Sequence, residues 1–175
     1  MKEQRIILKT PRLTFVMWEE GDATLVQQLH STMATTRYLS GSAPWSLEKA
    51  EERLRGWFEE QARDGTTKYK LLAKDGQFLG RAGISKFRNE QFELGYSLRE
   101  EAWGKGLATE AAGALADWFF ERKFASDFIA FTHPENAASQ RVLRKIGMRE
   151  RAPILIDGVL DTAFELTADK RPAKL

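Results

Sequence analysis

Residues 92–120 read FELGYSLREEAWGKGLATEAAGALADWFF, and the order of features in this stretch decides the fold. Phe92 to Leu98 is a short apolar strand. Arg99 to Ala102 makes a polar turn. Trp103-Gly104-Lys105-Gly106 comes next, and an alanine-rich helix begins near Leu107. Two glycines one residue apart let the backbone approach a ligand closely and turn its N–H groups outward. The helix behind them adds free N–H groups and the positive end of its dipole. Such a site is best suited to a phosphate or pyrophosphate. A strand that feeds a phosphate cradle narrows the function to nucleotide or cofactor chemistry.

Two well-known phosphate loops do not fit. Walker A needs G-x-x-x-x-G-K-[ST], and Gly104-Lys105-Gly106 has neither the spacing nor the hydroxyl residue. The dinucleotide fingerprint needs G-x-G-x-x-G/A, but its last position here is Thr109, and the repeated βαβ halves are missing. Glu101-Ala102-Trp103-Gly104-Lys105-Gly106 instead resembles the pyrophosphate loop Q/R-x-x-G-x-G/A of the GNAT N-acetyltransferases, with Glu101 in place of the Gln or Arg. A second segment agrees. Asn136-Ala137-Ala138-Ser139, followed by Val142-Leu143-Arg144-Lys145-Ile146-Gly147-Met148, is similar to the N-x-A-S-x-x-V-L-x-K-x-G-F segment of the RimJ/RimL-like branch. Thr10-Pro11-Arg12-Leu13-Thr14-Phe15 resembles that branch's opening strand. The resemblance runs from about Thr10 to Thr167 and matches least over residues 30–65, which in this family tend to shape the acceptor site.

Bulk properties are compatible with this. The 175 residues suit one domain with a substantial core. Hydrophobic residues make up 42% and charged residues 30%, the composition of an ordinary soluble protein. A net charge of +2 gives no field for nucleic acid or membrane. Cysteine is absent, so disulfides, thiolate metal sites and a cysteine nucleophile are excluded. No signal-peptide h-region and no membrane span is visible, and a cytoplasmic location is expected.

The expected fold is α/β, in the order βααβββαβαββ. Strand Arg12 to Trp18 is followed by a helix from Ala23 to His30 capped by Asp22. A second helix over Leu47 to Arg63 is capped by Ser46, with Leu54, Trp57 and Phe58 on one face. Strands Lys68–Lys74 and Gln77–Lys86 flank the Asp75-Gly76 turn. After the Phe92 strand and the helix from Leu107 to Arg122 come strand Asp127–Thr132 and a helix from Asn136 to Ile146 stopped by Gly147. A last hairpin turns at Asp157-Gly158. The resemblance implies the GNAT fold: a largely antiparallel mixed sheet, split by one parallel pair where the cofactor sits, with helices on both faces.

Amide transfer from a thioester to an amine needs a neutral amine, a polarised carbonyl and a protonated leaving group. It needs no covalent nucleophile. Alternation puts Glu93, Gly95 and Ser97 on one strand face, opposite Phe92, Leu94 and Tyr96. Glu93 is the candidate base, at the place where many GNAT enzymes carry a catalytic carboxylate. His133 ends the fifth expected strand near the same point, and an ordinary imidazole suits proton transfer; the alternative, a loop residue before Pro134, is the favoured reading. The resemblance implies that acetyl-CoA is the donor. It also implies that the Asn136 amide contacts the pantetheine arm and that Ser139 gives a proton to the leaving thiolate. Both residues also fit as a helix cap and first turn. Tyr96 is the alternative donor, or a core residue. The backbone of Leu98 and Arg99 would pair with pantetheine like an added strand. The N–H groups of Gly104, Lys105, Gly106, Leu107, Ala108 and Thr109 would hold the pyrophosphate, and the Lys105 side chain is either a phosphate contact or a solvated charge. Tyr38, Trp45, Trp57 and Phe58 read as core or as walls of an acceptor pocket; Arg37 is a possible carboxylate anchor that nothing singles out.

Two functions are compatible with these readings. One is an acetyl-CoA-dependent N-acetyltransferase acting on a primary amine, either a protein N-terminus or a small molecule. The other is a non-catalytic acyl-CoA-binding or regulatory module. No metal is expected, and the chain is read as a monomer or a homodimer.

Overall fold

The computed structural model describes residues 3–39 and 41–172. Eight strands form one sheet: β1 (Ile6–Lys9), β2 (Leu13–Val16), β3 (Lys68–Ala73), β4 (Phe78–Phe87), β5 (Gln91–Leu98), β6 (Asp127–Thr132), β7 (Arg149–Ile156) and β8 (Val159–Thr167). Their order across the sheet is β1-β2-β3-β4-β5-β6-β8-β7. Every neighbouring pair is antiparallel except β5 and β6, which meet in parallel with Glu93 opposite Ile129. Helices α1 (Ala23–Leu29), α2 (Met33–Thr36) and α3 (Leu47–Asp64) come before β3. Helix α4 (Leu107–Glu121) joins β5 to β6, and α5 (Ala137–Lys145) joins β6 to β7. The expected α/β architecture is therefore present, with two additions. Strand β1 pairs with β2, although Ile6-Ile7-Leu8 lacks the alternation of a half-buried strand. The single turn α2 is too short for a periodic pattern.

Strand alternation sorts the core into two layers. On one face Leu13, Phe15, Tyr69, Leu71, Ile84 and Leu94 pack against Ala111, Ala112, Leu115 and Phe119 of α4. The small residues of α4 let it lie close to the sheet, and the Phe92 ring meets Phe119 edge-on at 5.1 Å. On the other face Val16, Trp18, Leu72 and Phe78 pack against Val26, Leu29, Leu54 and Trp57 from α1 and α3. Trp18 stacks on Trp57 at 5.0 Å.

Local chemistry sets the helix ends. Ser46 Oγ accepts from the Lys49 N–H at 3.1 Å, and Gly65 closes α3 at φ +77°. Gly147, at φ +97°, ends the α5 segment, with the Met148 N–H reaching back to Leu143 O at 3.1 Å. Asp157 and Gly158 both have positive φ, as a tight hairpin turn demands. Asp22 departs from expectation. Its side chain makes no cap bond to α1. The carboxylate instead turns into the sheet, where the ammonium of Lys70 donates to both oxygens at 3.0 Å. A buried ammonium competes more strongly for a carboxylate than a helix N–H does.

Candidate active site

The glycine loop takes the backbone conformation that its glycines allow. Gly104 and Gly106 have φ of +72° and +75°, and residues 103–106 are exposed. The first helical bond back to the loop is from the Glu110 N–H to Gly106 O at 3.1 Å. The N–H groups of Gly104, Lys105, Gly106, Leu107, Ala108 and Thr109 have no acceptor among the described residues. A Cβ on Gly104 would meet nothing within 4 Å, so the space above the loop is open to a ligand. Lys105 makes no ion pair among the described residues. Glu101 faces solvent, with the Arg99 guanidinium 3.6 Å away.

An anchor that sequence reasoning missed fixes this loop from behind. Arg12 Nε donates to Glu110 Oε2 at 2.6 Å, and its Nη1 donates to Lys105 O at 2.7 Å. The Thr10 hydroxyl and the Arg12 N–H both donate to Glu110 Oε1. Burial pushes the Glu110 carboxyl up, but these bonds outweigh it and leave the pKa below the ordinary value. The available clue was Thr10-Pro11-Arg12, read only as part of an opening strand.

Beyond the Glu93–Ile129 pairing, β5 and β6 separate. The Arg99 N–H donates to Leu79 O at 2.8 Å, on the β4 side, and Arg99 O accepts from Ala102. The Arg99 N–H is thus taken up inside the protein, while its carbonyl keeps a second lone pair. Alternation turns the backbone groups of Leu98 and Tyr96 the other way, into the gap. Leu98 O already accepts from Trp103 Nε1 at 2.9 Å. The Leu98 N–H and the Tyr96 backbone are the groups that face the opening.

Side chains around the gap divide between the two sheet faces. On the α5 side, Asn136 caps the helix: its Oδ1 accepts from the Ser139 N–H at 3.2 Å, which leaves the amide NH₂ free to donate. The Ser139 and Tyr96 hydroxyls lie 2.8 Å apart. Tyr96 is therefore more than a core residue. Burial pushes its phenol up to about 12, against the opposing effect of the Ser139 bond, so it stays protonated across the working pH range.

His133 sits in the turn after β6. Its Nδ1 accepts from the Glu135 N–H at 3.2 Å, and its ring lies 5.2 Å from that of Tyr38. That tautomer leaves the proton on Nε2.

On the α1/α3 side, Lys68 Nζ donates to Glu93 Oε2 and to Glu93 O, both at 2.8 Å. Glu93 leans along β5 over Gly95, where an added Cβ would sit 3.1 Å from Oε1 and 2.9 Å from Lys68 Cε. Bare Gly95 makes room for the pair, and among the described residues Oε1 is the oxygen left without a donor. Of the four aromatics, Trp45 and Trp57 are core, while Phe58 is half-buried against it. Tyr38 is half-buried beside His133. Arg37 is exposed and lies over the Tyr38 ring.

The family model for the acetyltransferase (GNAT) domain matches residues 12–149. The chain belongs to the GNAT acetyltransferases. Its donor is acetyl-CoA, as in the rest of the family, and the cradle, the open strand gap and the capped α5 start fit that molecule. YkkB of Bacillus subtilis (strain 168) is 33% identical over 150 residues, covering 81% of this chain and 84% of YkkB. An acetyltransferase from Agrobacterium tumefaciens str. C58 is 26% identical, with a TM-score of 0.78 over 91% of this chain and 92% of that one. The fold also matches the Salmonella typhimurium enzyme that modifies the N-terminal serine of ribosomal protein L7/L12. That match has 18% identity and a TM-score of 0.79, over 94% of this GNAT chain and 100% of that one. No helix among the described residues is long and apolar enough to cross a membrane.

Proposed function

We propose that this acetyltransferase moves the acetyl group of acetyl-CoA onto a primary amine by direct attack in a ternary complex. The observation that supports this most is the position of Glu93 beside the strand gap, with one carboxylate oxygen held by Lys68 and the other without a donor among the described residues. In this reading the N–H groups of residues 104–109 hold the pyrophosphate. Asn136 and the open backbone of β5 hold the arm that follows it. Acetyl-CoA supplies the thioester. Positioning two reactants in this way is worth ~7–11 kcal/mol of the barrier.

Glu93 Oε1 takes the proton that the amine loses, directly or through one water. Tyr96 and Ser139 stand on the opposite side as a coupled pair of hydroxyls. A phenol near 12 does not surrender its proton outright to a thiolate of ordinary basicity, about 8.5. The pair instead stabilises the leaving thiolate by hydrogen bonding; Glu93 passes the amine's proton to solvent, and the released thiolate takes its proton from solvent. His133 is left as a turn and wall residue. The RimJ/RimL likeness makes a protein N-terminal α-amine one acceptor class, and a small-molecule amine is the other.

The test is thiol release from acetyl-CoA over a panel of peptides and small amines, with wild type and Glu93→Gln. A base role predicts kcat lower by ~10²–10⁴-fold in the variant, with acetyl-CoA affinity held. Tight acetyl-CoA binding without transfer to any amine would instead mark a binding module.

A further inference from the structure

Three cations are buried on the sheet face that carries Glu93: Lys68, Lys70 and Arg81, each 6–7% exposed. A buried charge needs an opposite charge or a full set of hydrogen bonds. Lys68 has Glu93 at 2.8 Å, and Lys70 has Asp22 at 3.0 Å. Arg81 has no carboxylate partner among the described residues. Its side-chain bond runs from Nε to His30 Nε2 at 3.2 Å, and its guanidinium lies 5.6 Å from the Trp57 ring. The acids whose charge acts on it, Glu93 and Glu60, are engaged by Lys68 and by the Thr67 hydroxyl.

The surroundings lack anions in the same way. Because His30 Nε2 accepts from Arg81, the ring proton sits on Nδ1. Among the described residues His30 Nδ1 is buried with no partner, and so is Trp45 Nε1. The two rings are in contact, with centroids 3.9 Å apart. Lys49 and Arg53 lie over Trp45 at 5.1 and 6.0 Å, and neither makes an ion pair among the described residues. Every unsatisfied polar atom in this cluster is a donor, and its charged groups are cations. Burial and Arg53 hold the Arg81 pKa down to about 10, which still leaves it charged at neutral pH.

Geometry connects the cluster to the proposed reaction centre. Glu93 leans over Gly95, and Arg81 is paired with Ser97, the next residue on that face. One such step is ~7 Å.

We infer that the amine acceptor carries a carboxylate within about 7 Å of its amine, and that Arg81 binds it as the missing third counter-charge on this face. The inference rests on the amine-acetylation reading and names the class of acceptor. An amino acid or a peptide with an acidic first residue has this spacing. Arg37, exposed over Tyr38, lacks the burial that gives Arg81 its selectivity.

The experiment compares kcat/KM for matched acceptors: peptides beginning with Asp against Asn, or Glu against Gln, and free amino acids against their amides. Wild type is expected to favour the carboxylate member by at least about tenfold, the ~1.4 kcal/mol of one charge-assisted contact. Arg81→Met should abolish the preference within each pair, and Arg81→Lys should restore part of it. Trp45→Phe, which deletes one donor and keeps the ring, should narrow the preference with no change in acetyl-CoA affinity. Equal rates within each pair in wild type would overturn the inference while leaving amine acetylation intact, and that comparison needs no variant to fold. A preference that survives in Arg81→Met would overturn it as well. Acetyl-CoA binding with no transfer to any member would remove both readings together.

Discussion

Glu93 and Gly95 illustrate what a single residue contributes to this site. The carboxylate is placed by a lysine from β3 and by the bareness of the next same-face position. Alternation put Glu93 and Gly95 on one face, and the family resemblance singled out Glu93 as the candidate base. Its partner was not. Lys68 sits in a strand with no special pattern, and a lysine there reads as a solvated charge. Only the register, which sets Lys68 opposite Gly83 and Gly83 opposite Gly95, brings it over Glu93. Gly95→Ala tests this placement. The new Cβ would meet the mobile ends of Lys68 and Glu93 at 2.9–3.3 Å, so the pair shifts while the backbone holds. The expected outcome is a kcat loss of roughly 10-fold or more, since small misplacements of reacting groups are costly. The melting temperature should change little. An unchanged kcat would separate Glu93 from the chemistry.

Elements show a similar division. The cradle was legible because two glycines before a helix have few other uses, and both adopt positive φ. The chain that supports it was hidden, because Arg12 and Glu110 are 98 residues apart and nothing local links them. Strand β1 escaped because Ile6-Ile7-Leu8 does not alternate. Asp22 was assigned to a cap because propensity takes no account of a lysine arriving from another strand. The anchor yields its own prediction. Arg12→Ala removes the bonds to Glu110 and to Lys105 O, so loop and helix start lose their mutual reference. Acetyl-CoA affinity measured by calorimetry should weaken about tenfold, the equivalent of ~1.4 kcal/mol, while kcat at saturation stays close to wild type. Unchanged affinity would mean that the glycine loop holds its shape unaided.

The whole molecule is a sheet with an apolar layer on the α4 face and a more charged layer on the α1/α3 face. The first was readable from periodicity. The second was not, because buried Lys, Arg and His side chains contradict the usual burial ranking, and such conflicts gather where function needs them. This layer also sets a stability profile. His30 is buried, and burial, then Arg81, Arg53 and Lys49, lower its pKa from 6.5 to about 2. The unfolded chain takes up a proton there below pH 6.5 while the folded chain does not, so acid favours unfolding. Stability should rise with pH between about 2 and 6.5, with a loss of about 2 kcal/mol from this group between pH 7 and 5. Urea unfolding across that range checks it: His30→Gln should flatten the slope, and a slope unchanged in the variant would assign it to other groups.

Acetyl transfer in this enzyme depends on the Glu93 carboxylate if Glu93 is the base. The most direct measurement is single-turnover acetyl transfer by wild type and Glu93→Gln to one acceptor from the amine panel, with acetyl-CoA affinity measured on the same samples. The predicted result is a chemical step slowed by ~10²-fold or more with affinity unchanged. A variant that transfers acetyl at the wild-type rate would contradict the account, because a carboxylate at that position would then have no part in the reaction.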